Sequence, residues 1–377
     1  MRKTDIADIG IYVHIPFCIR KCNYCDFCSF PTTSDIFKDE YCEEICRRMR
    51  SFSADRGKRR ATSVYFGGGT PTLLPIECFE KIFVAIKECF NLDENAEITV
   101  ECNPATVTDR SLAALRALGV NRLSIGVQSA SDKELAALGR LHSFDEFCHS
   151  FFLAREAGFD NISVDLMYGI PEQTVQSFEN TLLQILKLEP EHISAYGLKI
   201  EEGTPFAQMR ETLSFPDEDQ EFEMYVTCRK LLEANGYRRY EISNFAKSGR
   251  ESKHNLRYWR GEEYIGFGVA AHSFVDGERF GNSRDVSAFL RGDDIVCESE
   301  SISDGGRTEE YVMLGLRLGE GISEEEYRKM SGVDIYDAMP SLKMFIKEGF
   351  LVCENGRIAF SDKGFFLSNS ILCELLS

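Results

Sequence analysis

Short apolar runs alternate with longer amphipathic stretches over the first 205 residues. Gly10 to Ile15, Ser63 to Phe66, Glu97 to Glu101, Arg122 to Val127, Asn161 to Met167 and His192 to Leu198 are rich in Val, Ile, Leu or Tyr and read as strands. Between them lie helical patterns. From Ser111 to Gly119, leucines three and four apart make one apolar face, and Gly119 ends it. Glu172 to Leu188 reads the same way. Six βα repeats predict an α/β fold: a parallel sheet with covering helices, curled by right-handed crossovers into a partial (β/α)6, TIM-like barrel over residues 1–205.

After Pro205 the period changes. Glu218 to Asn235 reads as one long helix, with further strands at Tyr240 to Ser243 and Glu263 to Val275. Residues 206–300 thus read as an extension of the barrel. A charged loop around Ser301 to Arg307 marks a boundary. Residues 301–377 then read as three helices, a hairpin from Gly349 to Phe360 around Glu354-Asn355-Gly356, and a last helix. This mostly helical, winged-helix-like module is read as a packing cap rather than a DNA reader, because the charge is wrong for DNA.

The chain of 377 residues carries a formal net charge of −18, which excludes a nucleic-acid partner in the absence of a basic patch. The one dense basic run, Lys58-Arg59-Arg60, reads as a solvated loop. With no leader pattern and no transmembrane segment, a cytoplasmic location is expected. The 14 cysteines are then not read as a disulfide framework. Cys42, Cys46, Cys78, Cys89, Cys148 and Cys228 fall in helix-like stretches and read as small buried hydrophobes.

The first strand runs into Cys18-x3-Cys22-x2-Cys25. Three thiolates at this spacing can ligate three irons of a 4Fe–4S cubane and leave the fourth open. The amino and carboxylate groups of S-adenosylmethionine (SAM) can chelate that iron, and an electron from the cluster then cleaves the sulfonium to a 5′-deoxyadenosyl radical. The alternative is a zinc site with Cys28 as fourth ligand. The second strand ends in Gly67-Gly68-Gly69-Thr70-Pro71, where the backbone can approach a ligand. A side chain placed at Gly68 is expected to displace SAM without unfolding the chain. Glu101, Gln128 and Asp165 end later strands, the position that lines the mouth of a βα barrel. Arg140 can pair with the SAM carboxylate.

Together, Tyr12-Val-His-Ile-Pro-Phe-Cys18, the cysteine spacing, Gly67 to Pro71, Glu101-Cys-Asn-Pro104, Gly126-Val-Gln-Ser129, Leu138-Gly-Arg140 and Asp165 to Pro171 resemble the oxygen-independent coproporphyrinogen III oxidase (HemN-like) family of radical SAM proteins. The likeness extends over nearly the whole chain. It implies Cys18, Cys22 and Cys25 on the cluster, and Tyr12, Gly68 and Glu101 near the cluster-bound SAM. It implies Tyr24, Gly69, Thr70, Gln128, Arg140, Asp165 and Gly197 around a second SAM, as in the oxidase branch.

The details are closer to the heme-chaperone (HemW) branch. The oxidase pattern has a further cysteine where Phe27 stands, and Cys28 departs from both patterns. Only 11 residues precede Tyr12, against a longer segment in the oxidase. His254-Asn-Leu-Arg-Tyr258-Trp259 is similar to the His-Asn-x-x-Tyr-Trp segment of that branch, and Trp259 is the chain's single tryptophan. His254 is therefore either a heme ligand or a loop histidine hydrogen-bonded within the fold, with His272 and His14 in structural or site-lining roles. The expected function is a radical SAM heme chaperone passing heme or another porphyrin to apo-hemoproteins, with a homodimer left open. The rivals are coproporphyrinogen decarboxylation, probed by turnover of that substrate, and another radical SAM reaction on a tetrapyrrole.

Overall fold

The computed structural model describes residues 8–376. Six parallel strands lie side by side in chain order: β1 (Ile9–Ile15), β2 (Arg60–Gly68), β3 (Asn91–Cys102), β4 (Arg122–Gln128), β5 (Ile162–Tyr168) and β6 (His192–Gly197). The connections carry α1 (Asp35–Arg56), α2 (Ile76–Cys89), α3 (Asp109–Leu118), α4 (Asp132–Ala137), α5 (Phe144–Glu156) and α6 (Val175–Leu186). Helix α3 shows how closely the pattern is obeyed. Thr108 and Ser111 form a reciprocal capping box, Leu112 and Leu115 are buried, and Gly119 ends the helix at φ 102.

The sheet continues past both edges. After α7 (Pro205–Met209) and α8 (Glu218–Ala234), β7 (Arg238–Arg239) and β8 (Asn244–Ala246) add antiparallel to β6. After α9 (Lys253–Trp259), β9 (Tyr264–Phe267) pairs in parallel with the free side of β1. Strands β10 (His272–Val275), β11 (Glu278–Asn282) and β12 (Val296–Ser301) follow antiparallel. The result is one twelve-stranded sheet whose two ends do not pair: a partial barrel with an extension built from residues 206–300.

Sequence alternation explains which face is which. In β4 all seven residues are buried, yet Arg122, Ser124 and Gln128 alternate with Leu123, Ile125 and Val127. The apolar set packs in the core with Val100 and Val164 of the neighbouring strands. The other set faces the barrel interior, where Ser63, Glu97, Thr99, Ser163, His192 and Ser194 also lie buried. The interior is thus polar and hydrogen-bonded.

In the C-terminal module, β13 (Ile322–Ser323), β14 (Leu351–Glu354) and β15 (Arg357–Phe360) form a small sheet in the order β13-β15-β14, surrounded by short helices. The hairpin turns at Asn355 and Gly356, φ 52 and 72, as an Asn-Gly pair favours. The third strand of this sheet is absent from the sequence reading.

Four expectations are corrected. Tyr240 to Ser243 is not a strand: Tyr240 turns inward to His192 Nε2 (2.8 Å), and Glu241 makes a single bridge to Leu318. Glu263 to Val275 is two strands, separated by a turn with Gly268 at φ 108 and Ala270 at φ 54. The loop from Ser301 to Arg307 is already helical from Asp304, capped by Ser303. Lys58-Arg59-Arg60 is only partly a solvated loop: Lys58 and Arg60 are exposed, but the middle residue is not. Arg59 is buried and paired with Glu263 and Asp276, and Arg60 begins β2.

Candidate functional site

The chain leaves β1 through a two-residue strand, Phe17–Cys18, which pairs in parallel with Phe30–Pro31 and closes the intervening loop on itself. That closure brings Cys18, Cys22 and Cys25 onto one cavity of about 330 Å³ at the C-terminal mouth of the strands. Thr70 Oγ1 lies 3.8 Å from Cys18 Sγ and Arg140 Nη1 lies 3.7 Å from Cys22 Sγ. Burial pushes the Cys18 and Cys25 thiols up from their ordinary range, and the Thr70 hydroxyl opposes the rise at Cys18. Cys28 does not line this cavity; it faces a separate cleft. Among the described residues no three His, Cys, Asp or Glu side chains converge on a single ion. Three thiols spread around one cavity suit a multi-iron cluster better than a zinc ion, whose ligands must meet at one point.

The wall facing the cysteines is built from strand ends. Gly68 has φ 113, and its N–H donates to Glu101 Oε2 (3.1 Å) while Tyr65 OH donates to Oε1 (2.8 Å). Burial lifts the Glu101 carboxyl to about 7, with the Asp165 charge adding to the rise and its two donors opposing it. Asp165 accepts from Ser194 Oγ (2.8 Å) and Ser124 Oγ (3.1 Å), and burial raises its pKa as well. Contrary to expectation, Asp165 does not end its strand. It is the fourth residue of β5 and points into the barrel floor. Gln128 does end β4, and does so at φ 71 where β4 slips register against β5. Backbone strain of this kind in a non-glycine residue costs about 1–3 kcal/mol and gathers at ligand sites.

Tyr24, Gly69, Thr70 and Arg140 line the same cavity. Arg140 Nη2 donates to Gly126 O (2.6 Å), but its buried Nε has no partner among the described residues, and neither does Nε of Arg122 on the cavity floor. Two guanidinium groups on the wall of one cavity give it the positive charge that a carboxylate needs. Tyr12 and Gly197 are not brought to this cavity. Tyr12 stacks behind Tyr65, with ring centroids 6.2 Å apart, and Gly197 sits against the Tyr168 ring. The Gly68 expectation needs revision too. A Cβ there would lie 2.6 Å from the His14 ring, so a larger residue disturbs the fold before it tests any ligand.

His254 caps no cavity. It is 1% exposed, Nδ1 meets Ser63 Oγ at 2.9 Å and Nε2 meets Tyr258 OH at 2.8 Å. Burial holds its pKa down at about 3, so the ring is neutral. Of its two expected roles, this geometry favours the hydrogen-bonded one. Asn255, the next residue, does line the cavity that holds the three cysteines.

Reading by motif passed over Tyr65, Arg122, Ser124, Ser194 and Tyr196, all on the cavity wall. Their signal is the polar half of the strand alternation, which is visible in Arg122-Leu-Ser-Ile but carries no motif of its own.

Residues 12–185 match the Radical SAM superfamily and residues 306–367 the HemN C-terminal domain. The heme chaperone HemW of Bacillus subtilis is 36% identical, over 96% of this chain and 97% of that protein. The chain belongs to the heme chaperone HemW family. HemW of Escherichia coli is 33% identical over 98% of both chains. The fold is also that of coproporphyrinogen III oxidase (HemN) from Escherichia coli, with a TM-score of 0.87 over 100% of this chain and 92% of that one, at 22% identity. Among the described residues no helix is long and apolar enough to cross a membrane.

Proposed function

We propose that this chain is a radical SAM heme chaperone of the cytoplasm that binds heme and hands it to apo-hemoproteins. The observation that carries the reading is full-length likeness to HemW proteins combined with a cavity that holds all three motif cysteines. Cys18, Cys22 and Cys25 hold a 4Fe–4S cluster. Glu101, fixed by Tyr65 OH and the Gly68 N–H, receives the amine of the SAM bound there. Arg140 and Arg122 take its carboxylate, and Tyr24, Gly69, Thr70, Gln128 and Asp165 make room for a second SAM on the same wall. When bound, the cluster supplies the electron that cleaves SAM. The protein's own part is to keep thiolates, a carboxylate and guanidinium groups apart at fixed positions in a low-dielectric cavity, so that little reorganisation accompanies binding.

Anaerobic reconstitution should give about four irons per chain, one cubane. Changing Cys18, Cys22 or Cys25 to Ala should abolish the cluster, and Cys28→Ala should spare it. Iron lost on changing Cys28 sinks this ligand set. Glu101→Gln keeps the shape and removes the charge, and should weaken SAM binding about tenfold, on the order of 1.4 kcal/mol, with iron content intact. Unchanged SAM affinity removes Glu101 from the site. For the function itself, the same protein should bind heme and show no coproporphyrinogen decarboxylation above background. Sustained turnover of that substrate would replace the chaperone reading.

A further inference from the structure

Helix α9 carries the His254-Asn-x-x-Tyr258-Trp segment and is anchored to β2 and β3 well before the strand ends that face the cysteines. The buried carboxylate of Glu97 accepts from the N–H groups of Lys253 and His254, both at 3.1 Å, and from Ser252 Oγ (3.4 Å). His254 Nδ1 meets Ser63 Oγ of β2. Asn255, next on the helix, reaches the cavity that holds the three cysteines. The helix is thus seated against the barrel interior, with the His254 imidazole between its anchors and the cavity wall.

That imidazole is stacked. Its centroid lies 5.2 Å from that of Tyr65, with 24° between the planes, and 6.4 Å from that of Tyr12, with 28°. Tyr12 and Tyr65 are themselves 6.2 Å apart at 27°. Three near-parallel rings at these distances attract one another through offset contacts. Hydrogen bonds at both nitrogens, to Ser63 Oγ (2.9 Å) and Tyr258 OH (2.8 Å), fix the plane of the imidazole, and the Tyr258 ring stands edge-on to it at 5.0 Å and 89°. A fixed imidazole plane fixes the Tyr65 ring that lies against it. Little slack remains around Tyr65: a Cβ on Gly67 would come within 2.9 Å of Tyr65 Cε1 and 3.0 Å of Glu101 Oε1.

Two donors orient Glu101, the carboxylate assigned above to the SAM amine. One is the Gly68 N–H, a backbone group whose place the strand sets. The other is Tyr65 OH, at the end of a side chain whose place depends on what packs against it. We infer that His254 is a positioning residue of the SAM site: its ring holds that of Tyr65, so that the Tyr65 hydroxyl presents Glu101 to the SAM amine. The inference deepens the placement of SAM on Glu101 and rests on it. It gives the His254-Asn-x-x-Tyr258-Trp segment a part in SAM binding that none of its residues needs to play by touching iron. The order of action is Ser63 and Tyr258 on His254, His254 on Tyr65, and Tyr65 on Glu101. Removing the imidazole therefore matters to SAM only while the Tyr65 hydroxyl is there to be misplaced.

The test is a double-mutant cycle on the cluster-reconstituted full chain. SAM affinity is read from the change that SAM makes in the paramagnetic resonance spectrum of the reduced cluster. His254→Ala and Tyr65→Phe should each weaken SAM about tenfold with iron content unchanged. The double variant should bind SAM no more weakly than Tyr65→Phe alone, because the hydroxyl through which the imidazole acts is already gone. A merely structural role for His254 would instead cost the same factor in both backgrounds. Where His254→Ala fails to fold, His254→Gln, which removes the ring and keeps a hydrogen-bonding group, takes its place in the cycle. Losses that multiply in the double variant overturn the inference, and so does a His254 change without effect where Tyr65→Phe weakens SAM. Glu101→Gln is measured alongside: if neither it nor Tyr65→Phe alters SAM affinity, the placement of SAM on Glu101 falls, and the inference falls with it.

Discussion

At the residue scale, the barrel interior trades apolar packing for placed polar groups, and this carries a measurable penalty. Glu241 is the clearest case outside the ligand site. It is 1% exposed, its Oε1 has no partner among the described residues, and donors from Ser243 (N–H at 3.3 Å) and Asn244 only partly offset its burial. Burial lifts its carboxyl to about 7, against an ordinary value of 4.5. A carboxyl whose folded pKa is raised holds its proton longer in the folded state than in the unfolded one. Folding stability from this group is therefore fully kept below about pH 4.5 and is lost as the pH rises through about 7. Glu241→Gln should raise the melting temperature at pH 8, by the equivalent of roughly 1–3 kcal/mol, and change it little at pH 4.5. A variant equally shifted at both pH values would show that the penalty is not one of ionisation. Gly68 teaches the complementary lesson: its missing side chain makes room for the His14 imidazole as well as for a ligand, and the sequence gives no means of separating the two.

At the scale of the element, the parallel strands were legible because each is an uninterrupted run bounded by turn residues. All six are found, with ends displaced by a few residues, chiefly at β2 and β3. Tyr240 to Ser243 misled for a physical reason. Its apolar look comes from Tyr240 and Ile242, but tertiary hydrogen bonds from Tyr240 outweigh a weak strand preference. The gathering of Cys18, Cys22 and Cys25 on one cavity was readable from spacing, since loop closure needs only a short chain. The cavity floor was not, because Arg122, Ser124 and Ser194 meet only after three strands align. Turn chemistry was fully readable in the β14–β15 hairpin. Gly356 there has φ 72 with no heavy atom near the place of a Cβ, so Gly356→Ala meets backbone strain alone. It should destabilise the module by about 1 kcal/mol, seen as faster hydrogen exchange in β14 and β15. Unaltered exchange there would mean that the turn relaxes to another type.

At the scale of the whole molecule, Arg239 is one of the side chains that tie the C-terminal module to the barrel extension. Arg239 donates to Tyr225 OH (2.7 Å) and Asp362 Oδ1 (3.3 Å), and its guanidinium lies 3.9 Å from the centroid of the Phe365 ring. Tyr225 belongs to α8, whereas Asp362 and Phe365 belong to the module, so a single planar cation bridges the two. Phe222 packing edge-on to Phe366 extends the same contact. Asp362 has a second cation, Arg229 at 2.8 Å, so removing Arg239 does not strand a carboxylate. Arg239→Ala should accordingly weaken the docking by roughly 1–3 kcal/mol rather than abolish folding. Proteolysis should then cut earlier between residues 302 and 377, while the cluster cavity, formed wholly from β1 to β6, their loops and Asn255 of α9, keeps its iron. If the variant instead loses iron in step with the module, the two parts share one cooperative unit. The C-terminal region would then be a condition for the cluster site and more than a cap on it.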